Sequence, residues 1–478
     1  MHAIRGYEEK NPEIIRQLTS GYPRFVVHPF ARQLAEHYLA SLLPAQPNHT
    51  LWLTASARMA AALTAHLAST AAVALFRRDG LHGVSHPKSP ETFLRAKLFL
   101  QNIGGFISSR EAEDHLVRLG LRPTPHVEES FPGDSLPEIH RHLHRTLPGT
   151  TAEDLFIANC GMNAIYTAFK AVAELQTPRG RTLWLQLGWL YLDTIAILKK
   201  FTTSPSDYVY FRDVGDLDGL TRIFTAHGSR IAGVITEVPT NPLIQTPDLP
   251  ALAALCQQHG ARLLVDPSIA SLQNLDVLPH ADIVVTSLTK YTASEGDLTA
   301  GLAAVNPSGP DAAALRRSLA TNLEPLYARD AARLAHEIAD TENVLARIHA
   351  STPHVVEFLE KHPAIRDVYW ALQSASRKNF LKIARRPDAT GGMITFTLRE
   401  PGALTRVYDH LRLPKGPSFG MKTTLICPFM YLAHYDLVTT PAGLAELAAS
   451  KLDPDLLRLC IGTEPVEEII AALAEALA

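Results

Sequence analysis

The sequence predicts an α/β protein: a mainly parallel, doubly wound sheet in a large domain, followed by a smaller C-terminal α+β domain. Three observations lead there. From about residue 154 to 305, short apolar runs alternate with amphipathic stretches, the pattern of parallel strands joined by crossover helices. A helical stretch from about 311 to 350 has no proline after Pro325 and can bridge two domains. Beyond about His354 a new pattern of short strand candidates begins, closing on the Ala-rich helix Val466–Leu477.

Composition sets the limits. A chain of 478 residues corresponds to about three domains at ~150 residues each. Hydrophobic residues make up 46% and charged residues 19%, enough apolar material for a large core. A formal net charge of −3 argues against nucleic acid or an anionic membrane as principal partner. Four widely spaced cysteines, Cys160, Cys256, Cys427 and Cys460, lack the paired spacing of a metal site, so no metal is expected and a reducing, cytoplasmic compartment is. The segment Met1–Lys10 is charged where a secretory peptide needs an apolar core. The apolar stretch Leu51–Phe76 contains Arg58 and His66. It reads as strand, Ala-rich helix and strand, not as the roughly 20 apolar residues of a membrane span.

In chain order, residues 1–125 form a mixed N-terminal region. It ends in the loop-like Gly104-Gly-Phe-Ile-Ser-Ser-Arg110 and a helix from Glu111 to about Leu119. Pro123, Pro125, Pro132, Gly133 and Pro137 then punctuate a connection. Residues 126–350 form the large domain, with strands expected at Leu155–Ala158, Arg181–Leu187, Tyr208–Phe211, Ile231–Thr236, Ala261–Val265, Ala281–Thr286 and Gly301–Ala304. Residues 351–478 form the small domain, with strands at Val368–Trp370, Gly392–Leu398, Leu425–Cys427 and Leu457–Ile461.

The chemistry gathers where strands stop. In an open parallel sheet, ligands bind beyond the carboxyl ends of the strands. Ala261-Arg-Leu-Leu-Val-Asp266 stops on a carboxylate. The next strand runs out through Ser287 and Thr289 onto Lys290. Lysine forms a Schiff base with an aldehyde cofactor, and aspartate holds a basic ring nitrogen protonated; together they suit pyridoxal 5′-phosphate (PLP). Asn159-Cys-Gly161-Met162-Asn163 is a strand–glycine–helix junction whose backbone N–H groups suit a phosphate. Glu237-Val-Pro-Thr-Asn241-Pro242 places an amide at another strand end. Each has an ordinary explanation as turn chemistry or a helix start; four in succession are a stronger signal than any one.

This order of Gly-Met, Thr-Asn-Pro, strand-Asp and Ser-x-Thr-Lys-Tyr resembles the Cys/Met-metabolism family of PLP enzymes, nearest to its cystathionine γ-synthases. Further likeness lies in Gly391–Leu398, in Ser418-Phe-Gly-Met, similar to the family's Ser-Leu-Gly-Gly, and in the closing Arg458-Leu-Cys-Ile-Gly-Thr-Glu464. The segments Gly21–Val26, Lys97–Arg110 and Gly188–Thr194 look like the fungal branch. The resemblance implies fold type I and PLP. It implies cofactor contacts from Gly161, Met162, Asn241, Asp266, Ser287, Thr289 and Lys290, and substrate contacts from Ser418 and Arg458. It also maps Arg110 onto an element that binds a neighbouring subunit's PLP phosphate, implying a homodimer or homotetramer with shared active sites.

Three departures bear on substrate choice. The family's stacking tyrosine precedes two glycines, whereas here Leu187-Gly-Trp189-Leu-Tyr191 offers Trp189 or Tyr191, the latter also a candidate catalytic phenol. Ser108 replaces the tyrosine of the inter-subunit element. Tyr291-Thr-Ala-Ser-Glu295-Gly-Asp297 stands where the family has glycines. Two other motifs are set aside. Gly416–Thr423 lacks the glycine–lysine spacing of a phosphate loop, and His140-Arg-His142-Leu-His144 reads as a solvated helix face. The implied activity is γ-replacement on an O-acyl-homoserine by cysteine or a similar nucleophile, with small amino acids as substrates. Carbon–carbon or carbon–nitrogen bond formation, a γ-lyase, and a non-catalytic protein of the same fold are the alternatives.

Overall fold

The computed structural model describes residues 1–17, 26–42 and 48–478; of the segment Gly21–Val26, all but Val26 lies outside the described residues. Seven strands make the central sheet. Taking β1–β3 as the N-terminal strands His49–Thr54, Ala74–Arg78 and Leu81–Pro87, these seven are β4 Leu155–Ala158, β5 Leu183–Leu187, β6 Tyr208–Phe211, β7 Ile231–Glu237, β8 Arg262–Asp266, β9 Ile283–Ser287 and β10 Gly301–Val305. Their order is β4-β10-β9-β8-β7-β5-β6, and only β10 runs against its neighbours.

Both faces of this sheet are covered, which is why its strands read as continuous apolar runs. Leu183, Leu185, Leu187, Leu263, Val265 and Val284 enter one core layer, while Trp184, Leu264, Ile283 and Val285 enter the other. Because the strands are parallel, β5, β7, β8 and β9 finish on the same edge, at Leu187, Glu237, Asp266 and Ser287. Of the strands expected in this sheet, Leu155–Ala158 and Tyr208–Phe211 keep their bounds, and the others differ by one or two residues at an end.

The small domain is an antiparallel sheet of β11 Ile365–Tyr369, β12 Met393–Leu398, β13 Leu425–Pro428 and β14 Leu457–Cys460, in the order β11-β12-β14-β13. Two expectations change here. The bridging helical stretch is three pieces, Ala312–Asn322, Ala328–Glu337 and Thr341–Lys361, and the last carries Pro353 inside it. The boundary drawn at 350/351 therefore falls within a helix. Its buried stripe of Val344, Leu345, Ile348, Val355, Val356 and Leu359 offsets the backbone bond that proline removes.

The N-terminal region forms the antiparallel sheet β1-β3-β2. β3 went unread because His82, Ser85 and His86 blur its alternation, although Asp79-Gly80 is a strong hairpin signal; both residues have positive φ, 51° and 83°. Residues at the very start, Met1 and Ile4, pack instead on the small-domain core.

This region buttresses the central sheet. Helix Pro90–Ile103 ends on Gly104 at φ 68°, where a β-carbon would lie 2.6 Å from Cys160 Sγ and 2.8 Å from Asn163. Asn159 Nδ2 donates to the Gly104 carbonyl and Asn163 Nδ2 to that of Ile103, each at 2.9 Å. Gly104→Ala should therefore both strain the left-handed backbone and overpack the junction, costing about 2–4 kcal/mol. Chemical denaturation of variant and wild type checks this; a loss below about 1 kcal/mol would show that the contact relaxes freely.

Candidate active site

The helix Gly161–Gln176 starts directly after β4, and Cys160 at its N-cap makes no side-chain cap bond. Its first N–H groups and helix dipole thus face the strand-end edge ready for an anion. Gly161 is needed there for close approach: a β-carbon would come within 3.0 Å of the Ser287 β-carbon. Met162 is buried in the apolar layer beneath. Thr289 plays a supporting part, with its hydroxyl bridging to the Ala300 backbone at 3.0 and 3.3 Å.

At the end of β8, Asp266 is 7% exposed. Its Oδ1 accepts the Ser268 N–H at 2.9 Å and the Ser268 hydroxyl at 2.5 Å. That hydroxyl also touches Thr286 Oγ1 at 3.0 Å and receives the Ser287 N–H at 2.9 Å. Ser268 was missed in the sequence because nothing distinguishes a serine two residues after a strand from a turn. Among the described residues no lysine, arginine or histidine pairs with Asp266. Burial pushes its carboxyl up to about 6.

Across the site Lys290 Nζ donates to Ser418 Oγ at 3.0 Å and lies 4.8 Å from the centre of the Phe419 ring. The same ring is 5.5 Å from the Arg458 guanidinium, and Phe429 is 4.6 Å away on that group. Arg458, on β14, is 4% exposed. It donates to Asn241 Oδ1 at 3.3 Å and to the Pro417 carbonyl. These are neutral oxygens, and no carboxylate among the described residues pairs with it. A buried guanidinium without a counter-ion is costly, and its fork matches a carboxylate. Phe419 and Phe429, which wall this region, could be read from the sequence only as core aromatics.

Trp189 and Tyr191 part company. The Trp189 indole donates from Nε1 to His434 Nε2 at 3.2 Å. Burial lowers that imidazole to about 4, leaving it neutral and able to accept. Tyr191 opens the helix Leu192–Phe201, and its N–H donates to Glu237 Oε1. Its ring packs on the layer to which Cys160, Met162 and Leu190 contribute.

Arg110 is not brought to these groups within its own chain. Its guanidinium pairs with Glu128 at 2.6 Å, Asp330 at 3.0 Å and Asp297 at 3.4 Å. The loop after Lys290 is tied down on several sides: Lys422 pairs with Glu295 at 2.7 Å and its N–H bonds the Ser294 carbonyl, while Asp297 also pairs with Arg333 at 3.1 Å. An open cavity of about 440 Å³ borders this loop, lined by Ser294, Glu295, Arg333, Glu337 and Lys422 and not by Lys290.

The donor set fits PLP: an uncapped helix start for a phosphate, a lysine amine, and a buried carboxylate lacking a cation for a protonated ring nitrogen. Comparisons with known proteins agree. The family described as Cys/Met metabolism PLP-dependent enzyme matches residues 145–478. The L-2-amino-4-chloropent-4-enoate dechlorinase/desaturase of Streptantibioticus cattleyicolor is 37% identical over 476 residues, 100% of this chain and 94% of that one. Cystathionine γ-synthase of Neurospora crassa is 31% identical over 337 residues, 70% of this chain and 53% of its own length. Two solved structures share the fold. Cystathionine γ-lyase from Lactobacillus plantarum complexed with L-serine has a TM-score of 0.60 and 19% identity, over 72% of this chain and 86% of that one. Cystathionine γ-synthase from Xanthomonas oryzae pv. oryzae in complex with cystathionine has 0.59 and 22%, over 74% and 92%.

Asp266 generates a pH prediction. Pairing with a protonated ring nitrogen needs its ionised form, so affinity for PLP is full above about 6 and falls as pH drops through that value, by up to about tenfold per pH unit. Spectrophotometric titration of apoprotein should show this acid limb in wild type and its loss, with weaker binding throughout, in Asp266→Asn. The same limb in both proteins would assign it to another group.

Proposed function

The chain belongs to the Cys/Met-metabolism family of PLP-dependent enzymes, and from that premise we propose that it acts on an α-amino acid bearing a leaving group on its γ-carbon, which it expels or replaces. The observation that carries this reading is Arg458, buried without a counter-ion among the described residues and sharing the Phe419 ring with the Lys290 amine. When bound, PLP supplies an electron sink for negative charge at the substrate α-carbon.

The protein's groups then have distinct work. Arg458 takes the substrate carboxylate, with Asn241 holding one edge of its fork. Lys290 would hold the cofactor through its amine and, when free, would move protons at the substrate α- and β-carbons, with Ser418 Oγ aiming Nζ. Asp266 would pair with the ring nitrogen, and Gly161, Met162 and Ser287 would hold the phosphate. Tyr191, packed on the layer beneath the cradle, is the better candidate to face the ring; Trp189 is engaged by His434.

Two substrate readings differ in the fate of the γ-carbon. Elimination from a γ-halogenated amino acid is favoured by the likeness to the Streptantibioticus dechlorinase/desaturase, which spans nearly all of both chains. Replacement on an O-acyl-homoserine by cysteine is supported by the Neurospora synthase, of which this chain matches about half. We further read the protein as a homodimer or homotetramer, because the cradle segments 159–163 and 287–289 hold backbone donors and no cation. A cytoplasmic setting is supported by four buried cysteines that form no disulfide among the described residues; among those residues no helix is long and apolar enough to cross a membrane.

Mass spectrometry of products from a γ-chloro amino acid and from O-acetyl- and O-succinyl-homoserine, each with and without cysteine, separates these readings. Cysteine-independent loss of the γ-substituent supports elimination, and a cysteine adduct supports replacement. No change at the γ-carbon of any of them contradicts both. Arg458→Ala should leave PLP bound but raise the substrate KM about ten- to a hundredfold, the loss of a charged hydrogen bond of about 1.5–3 kcal/mol. Unchanged KM would remove Arg458 from the site.

A further inference from the structure

Glu237 ends β7 beside Asp266, and the two are register partners on adjacent parallel strands. Neighbouring strands lie ~4.8 Å apart, and partners in register point to the same face. Both side chains are buried. Glu237 Oε1 accepts the Tyr191 N–H, while Oε2 is buried with no hydrogen-bond partner. A bare carboxylate oxygen in such a place is costly, and a proton on the carboxyl removes the charge. Two carboxylates this close in a dry site also resist ionising together.

The surroundings decide which one keeps the proton. Asp266 receives two donors from Ser268, whereas Glu237 receives one from the backbone. Arg458 is the cation acting on Glu237, and it favours the ionised form. Its guanidinium is nevertheless turned to Asn241 and Pro417. Burial and the neighbouring Asp266 charge prevail and hold the Glu237 carboxyl well above the usual carboxylate range.

We propose that Glu237 is a positioning residue that stays protonated, so that the pair's single negative charge resides on Asp266, and that fixes the Tyr191 backbone through Oε1. The inference rests on the PLP reading only for what the Asp266 charge faces. Its test therefore uses apoprotein, and a negative result would leave that reading standing.

A carboxyl with a raised folded-state pKa keeps its proton after the unfolded chain has lost it, so the folded state loses ground as pH rises from the carboxylate range toward neutral. Glu237→Gln, a neutral isostere, has no such loss. Denaturant unfolding of apoprotein across that range should show the folding constant of Glu237→Gln gaining on wild type by up to about tenfold per pH unit. A constant offset would overturn the proposal. Infrared difference spectra of wild type minus Glu237→Gln provide an independent reading. They are best taken at mildly alkaline pH, where Glu111 and Glu337, each held at about 7, have ionised. A protonated-carboxyl stretch present in wild type and lost in the variant supports the assignment. Should the variant not fold, wild type alone decides: lack of any protonated-carboxyl band in that pH range overturns it.

Discussion

Charge left uncompensated in a dry place is the constraint around which this protein is arranged. Arg458 is buried in the small domain among neutral oxygens, aromatic faces and the Cys427 thiol, with no carboxylate paired to it among the described residues. Asp266 is buried at the end of a central strand with only serine donors. Their separate burial in an apoprotein disfavours folding, since an unpaired buried ion costs several kcal/mol after relaxation. A ligand carrying a carboxylate at one end and a protonated ring nitrogen at the other removes both penalties at once. A PLP-bound amino acid has that charge pattern, and the Lys290 amine belongs to the same site through Ser418 and Phe419.

The scaffold supports this arrangement from three sides. The central sheet delivers Glu237, Asp266 and Ser287 to one edge because every strand but β10 points the same way. The N-terminal region holds the start of the Gly161 helix through Asn159 and Asn163, which reach back to Gly104 and Ile103. The small domain presses on the loop after Lys290: Lys422 grips Glu295 and Ser294, and Met421 fills the space over Gly296. Each region alone leaves the site incomplete, so domain packing and cofactor binding should be coupled.

Much of this was legible in the sequence, for identifiable reasons. Strands buried on both faces announce themselves as apolar runs, and parallel topology then places their final residues, Asp266 and Ser287 among them, on one edge. Properties set by neighbours distant in the chain were not legible. Nothing local marks Ser268 as the donor to Asp266, or Phe419 as the ring shared by two cations. The Glu237 carboxyl depends on a register match across strands. Pro353 lies inside the Thr341–Lys361 helix because tertiary burial overrides a local breaker. The three carboxylate partners of Arg110 within its own chain come from segments up to 220 residues away, so nothing local announced them.

The most direct measurement of the account is chemical. Holoenzyme reduced with borohydride, digested and analysed by peptide mass spectrometry should carry the reduced cofactor on the peptide containing Lys290, and on no other lysine. Cofactor fixed to a different lysine, or no covalent label despite bound PLP, would contradict the placement of the site at the ends of the central strands.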